Sequence, residues 1–96
     1  MVITPYDQRR HCLIGGRVQM VGFRMFATMH EQRLGLRGWI RNLQTGEVEV
    51  LAEGPKAAMD EFLELLKRGP AAAEVTRFAV SELQLGKPLG RFGESP

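Results

Sequence analysis

Gly15-Gly16-Arg17-Val18-Gln19-Met20-Val21-Gly22-Phe23-Arg24 is the stretch around which the rest of the chain is arranged. An apolar run from His11 to Ile14 enters it, glycines stand at 15, 16 and 22, and a helically patterned segment leaves it at Phe23. The order is strand, tight loop, helix. Such a loop turns several backbone N–H groups into one concavity, and the helix behind it adds its own unpaired N–H groups and the positive end of its dipole. That combination binds anions. Arg24 falls on the first helical turn, where the dipole disfavours a cation, yet its planar fork matches two oxygens of a phosphate or carboxylate. A glycine-rich loop by itself warrants the plainer reading of a turn with a solvated arginine. The strand before, the helix after and the arginine at its start together favour a phosphate cradle.

Downstream of the loop, Phe23, Phe26, Ala27 and Leu34 fall at i, i+3, i+4 and i+11, which predicts a helix over 23–34 with Gly35 as its C′ residue. Met25 and Met29 read as gap-fillers in its packing, and His30 as a hydrogen-bonded residue at the edge of the packed face. Leu36 to Leu43 reads as a second strand. Its period of two puts Gly38, Ile40 and Asn42 on one side, so a polar amide ends a core-facing row. Asn42 is then either a turn former before Gln44-Thr45-Gly46 or an amide held beside the loop to grip a water.

Glu47 to Glu53 alternates as a half-buried third strand whose polar face is acidic, not aromatic. Gly54-Pro55 opens a second helix with Ala58, Met59, Phe62, Leu65 and Leu66 as its buried stripe, closed by Lys67-Arg68-Gly69. A fourth strand covers roughly Glu74 to Gln84, with Phe78 and Val80 as core residues. Upstream, Arg9 to Gly15 is the first strand. Cys12 and Ile14 share one face, and His11 on the other reads as an exposed strand residue. Met1 to Asp7 reads as a loose arm and 85–96, rich in Gly and Pro, as a flexible tail.

The element order β-α-β-β-α-β predicts an α+β, ferredoxin-like two-layer sandwich. Its sheet has four antiparallel strands, the first and third central, and both helices lie on one face. The 96 residues make a single domain. No apolar run approaches the roughly 20 residues that span a bilayer, and Met1 to Arg10 lacks the apolar stretch of a signal peptide, so the expected location is the cytoplasm, away from membranes. One cysteine and two histidines give no cluster with metal-ligand spacing, so neither metal nor cofactor is expected, and Cys12 reads as a buried thiol. Residues 1–42 hold seven arginines against Asp7 and Glu31, a net +5, while the remainder carries −3. A basic half suits a small anion or nucleic acid.

Gly16-Arg17-Val18-Gln19-Met20-Val21-Gly22-Phe23-Arg24, then Leu34-Gly35-Leu36-Arg37-Gly38-Trp39-Ile40-Arg41-Asn42, then Gly46-Glu47-Val48-Glu49-Val50 and Ala52-Glu53-Gly54, resemble the acylphosphatase family. The likeness runs in register from about residue 9 to 80. It implies hydrolysis of an acyl phosphate to carboxylate and phosphate. It also implies that the loop residues Gly16, Arg17, Val18, Gln19, Met20 and Val21 cradle the phosphate, that Arg24 holds it, and that Asn42 positions the attacking water. The family usually has glycine at the position of Met20. A left-handed Met20 would store about 1 to 2 kcal/mol of strain and loosen the cradle.

The expected partner is a small-molecule acyl phosphate, met by a monomer without nucleic acid. Two other readings stay open on sequence grounds. One is an RNA-binding module of the same fold, which the third strand does not favour because it offers no aromatic for base stacking. The other is a domain that binds phosphate without turning it over, either because Met20 spoils the loop or because the domain serves a larger enzyme such as a hydrogenase-maturation carbamoyltransferase.

Overall fold

The alternation of short apolar strands with two amphipathic helices closes as one sheet with a helical layer. The computed structural model describes residues 7–86. It contains β1 (Gln8–Arg17), α1 (Phe23–Leu34), β2 (Arg37–Asn42), β3 (Val48–Gly54), α2 (Lys56–Arg68) and β4 (Glu74–Leu83). The strand order is β2-β3-β1-β4, with every neighbouring pair antiparallel. This is the predicted ferredoxin-like arrangement, with the first and third strands in the centre. The N-terminal arm up to Tyr6 and the tail from Lys87 lie outside the described residues.

Period two decides which side chains meet the helices. Cys12, Ile14, Ile40, Val48, Val50 and Ala52 face one way and are buried against Phe23 and Ala27 of α1 and Met59, Phe62 and Leu66 of α2. Removing each of the larger side chains from water contributes about 1.5–3 kcal/mol, so this layer fixes the register of the whole sheet. A one-residue slip would turn it outward. Both helices end as the sequence predicts, at Gly35 and Gly69; Leu36 N–H closes the first turn-back by donating to the Glu31 carbonyl at 3.0 Å. Pro55 stands just before α2 as its extended N-cap, one place earlier than the first helical position.

The structure departs from the sequence reading at several positions. β1 runs two residues further than Gly15, because a bulge between Gly15 and Gly16 lets the pairing with β4 resume at Val75 and Glu74. Gly16 takes φ 121 there, and a Cβ would collide with the Glu74 carbonyl oxygen, so only glycine fits. Val80 is not core: it pairs with Cys12 on the helix-facing side, yet β4 is an edge strand whose inner row is packed only as far as Phe78, and Val80 is 41% exposed. Met25 and Met29 do not fill gaps; they point outward from α1 at 79% and 56% exposure.

His11 is not a free surface residue either. On the open face of the sheet its Nε2 lies 2.7 Å from Glu49, whose other oxygen accepts from Arg41, and the Arg41 guanidinium sits 4.9 Å over the Trp39 ring. Burial pushes the Glu49 carboxyl up, but the hydrogen bonds and charges of His11 and Arg41 outweigh it and hold the group below its ordinary 4.5. At Cys12, by contrast, desolvation outweighs the opposing charge of Arg10 and pushes the thiol up to about 12, which makes it inert.

Candidate active site

The loop between β1 and α1 is pinned on its inner side and open on its outer side. Arg17 is still held in the sheet opposite Glu74, and its Nε donates to the Ala72 carbonyl at 3.3 Å. Val18 turns inward and is buried. Gln19 reaches away from its own strand: its side-chain amide donates to the carbonyls of Leu43 at 2.7 Å and Glu47 at 2.9 Å, the two residues that close the hairpin between β2 and β3. Met20 then adopts φ 61 with its side chain fully exposed, and Gly22, at φ 80, hands the chain to α1. Met20 is the one non-glycine residue with positive φ among those described, so the strain expected from the sequence is present.

A hollow of about 220 Å³ opens where this loop meets α1 and the end of β2. Val18, Met20, Gly22, Phe23, Arg24, Met25 and Asn42 line it. Arg24 and Asn42 therefore converge on one place from different elements. Asn42 does not come from the strand beside β1: β3 lies between, with Asn42 opposite Val48 and Val48 opposite Ile14. The hairpin grip of Gln19 bridges that gap. Gly16 and Arg17 are not among the lining residues; they anchor the loop in the sheet.

The electrostatics of the hollow suit an anion. The first turn of α1 has no acidic residue and no side-chain cap, which leaves its N–H groups facing outward. Other arginines are engaged, Arg9 with Glu53 and Arg33 with Glu61 at 2.7 Å each, but Arg24 makes no ion pair with any described residue. No group of three or more His, Cys, Asp or Glu able to hold a metal occurs among the described residues.

Comparison with known proteins gives the family. The acylphosphatase family profile matches residues 10–93. An acylphosphatase of Acaryochloris marina is 47% identical over 75 residues, 78% of this chain and 81% of its own. The chain belongs to the acylphosphatase family. The crystal structure of the Bacillus subtilis acylphosphatase superimposes with a TM-score of 0.87 at 37% identity, covering 93% of this chain and 99% of that one. Full-length HypF, solved in a phosphate- and nucleotide-bound form, contains a similar unit (TM-score 0.84, 29% identity) that makes up 12% of its chain.

Acylphosphatases hydrolyse acyl phosphates, and this chain is such a hydrolase. The hollow of an acylphosphatase needs little reactive machinery. A leaving carboxylate is a weak base that can depart without a general acid, and charge on phosphoryl oxygens is of the kind that fixed N–H dipoles and a guanidinium stabilise. Sequence reasoning places Gln19 in the cradle but misses the hairpin it holds, because a contact 24 residues away leaves no local pattern. Met25 lines the hollow but was read as helix packing.

Proposed function

We propose that the acyl phosphate binds with its phosphoryl group in the hollow, held by the loop Gly16 to Val21, the first turn of α1 and the Arg24 fork. Gly16 and Arg17 serve as the loop's fixed root, and the amides from Val18 onward face the anion. Asn42 orients one water toward phosphorus, in line with the P–O bond to the acyl oxygen. The water oxygen forms the new P–O bond, the acyl oxygen leaves with the electron pair as carboxylate, and the water's proton passes to a phosphoryl oxygen. Asn42 acts by aiming, since an amide does not titrate usefully. The observation that carries this reading is that Arg24 and Asn42, 18 positions apart, line one hollow under an uncapped helix N-terminus.

Steady-state hydrolysis of benzoyl phosphate tests it. Arg24→Ala and Asn42→Ala should each lose about 10²–10³-fold in kcat, the scale of removing one oxyanion donor. Wild-type turnover no faster than buffer, or full activity in both variants, would defeat it. The same reading has the chain acting alone as a cytoplasmic monomer without metal. An RNA-binding role finds no support on the open sheet face, where Trp39 is already covered by Arg41, His11 and Arg41 are paired with Glu49, and Arg9 is paired with Glu53.

A further inference from the structure

The phosphate hollow has a neighbour. A groove of about 360 Å³ runs along α1, lined by Arg24, Met25, Thr28, Met29, Gln32 and Ile40, and it shares the Arg24–Met25 wall with the hollow. Its volume falls within the range of pockets that hold small molecules. Met25 and Met29 stand one helical turn apart on its flank, and both are exposed. Single apolar side chains in water need no explanation. Two unbranched thioethers in one groove, continuous with an anion site, form an adaptable apolar surface of the kind that accommodates varied ligands.

The chemistry of the substrate says what fills it. In a mixed anhydride the acyl carbon is two bonds from phosphorus, so an acyl group whose phosphate sits in the hollow must continue into whatever space adjoins it. We infer that the Met25–Met29 groove is the acyl subsite and that it selects acyl phosphates with an apolar acyl chain over acetyl phosphate. The inference rests on the phosphate reading above. Each methylene drawn from water into the groove should raise kcat/KM by about two- to threefold, somewhat less than full burial would give. Acetyl, butyryl and octanoyl phosphate have leaving carboxylates of nearly equal basicity, so a chain-length effect reports binding and not intrinsic reactivity.

The test is kcat/KM for these three substrates with wild type, Met29→Ser and Met29→Leu. Position 29 is exposed on a helix, so neither substitution disturbs the core. Wild type should show a rising profile, Met29→Ser should reduce the octanoyl-to-acetyl ratio at least threefold, and Met29→Leu should keep it. Turnover of acetyl phosphate with a flat chain-length profile, or a rising profile that Met29→Ser leaves unchanged, overturns the acyl subsite alone and leaves the groove to another occupant. Failure of wild type to hydrolyse any of the three overturns the phosphate reading and the subsite with it.

Discussion

Gln19 donates its side-chain amide to the Leu43 carbonyl at 2.7 Å, one residue beyond Asn42, and so ties the β1–α1 loop to the strand end that carries Asn42. The second bond, to Glu47 at 2.9 Å, spans the same hairpin. Both carbonyls keep a backbone donor without Gln19, Leu43 from Gly46 N–H and Glu47 from Leu43 N–H. No buried acceptor is orphaned by its loss, so Gln19→Ala should cost only about 1 kcal/mol of stability. Its effect on kcat should be larger, about tenfold, if alignment is what Asn42 supplies, as proposed above. A double-mutant cycle separates the two: in an Asn42→Ala background the kcat penalty of Gln19→Ala should largely vanish. Additive penalties would mean that Gln19 acts on the loop alone.

At Met20 the left-handed φ of 61 comes with a fully exposed side chain, so nothing is gained from packing in exchange for the strain. Met20→Gly should therefore raise the unfolding midpoint or leave it unchanged, the relief of about 1 kcal/mol being partly offset by the extra freedom of glycine in the unfolded chain. Hydrolysis should be equal or faster. Met20→Val, β-branched in the same conformation, should be the least stable of the three. A clear loss of activity in Met20→Gly would show that the side chain contributes to the site.

Most of the fold was legible because it rests on local signals. Gly35 and Gly69 end the helices where a left-handed or otherwise restricted residue is required, and the alternation in Val48–Gly54 reports a strand with one wet face. The misreadings share a cause in context. Val80 has the pattern of a core residue, and only sheet order reveals that it lies on an edge. Gly15-Gly16 reads as a turn, whereas the bulge uses Gly16 to carry the strand onward. Met25 and Met29 count as apolar in any pattern, although the buried line of α1 runs through Phe23, Ala27 and Glu31 instead. Arg24 and Asn42 were legible as candidates from their motifs, and both line one hollow. That Asn42 reaches the hollow from beyond β3 was not, since register between distant strands is set by the packed core.

Acid stability should depend on Glu49. Its folded carboxyl is held below the ordinary 4.5, so the stability it contributes is fully present above about that pH and is lost as pH falls through the lower folded value. Glu49→Gln removes the titration while keeping the shape. Unfolding free energies measured from pH 6 down to pH 3 should converge, wild type starting higher and falling more steeply than the variant. Parallel curves would show that the His11–Glu49–Arg41 chain contributes nothing that titrates.

Inorganic phosphate, the product, offers a reading of the site that does not depend on turnover. A ligand that binds the folded state alone stabilises it by RT ln(1 + [L]/Kd), about 2.7 kcal/mol at one hundred times Kd. Wild type should show a concentration-dependent rise in unfolding midpoint with phosphate, beyond the effect of chloride at equal ionic strength. Arg24→Ala should abolish most of that rise, since in the proposed mechanism the guanidinium supplies the charge-assisted bonds. Arg24→Lys should restore part of it, keeping the charge but not the fork. Asn42→Ala should leave it nearly intact, because in the proposed mechanism that amide serves the water and not the anion. An equal loss in Asn42→Ala would instead make Asn42 a phosphate ligand and remove the one group assigned to aim the nucleophile.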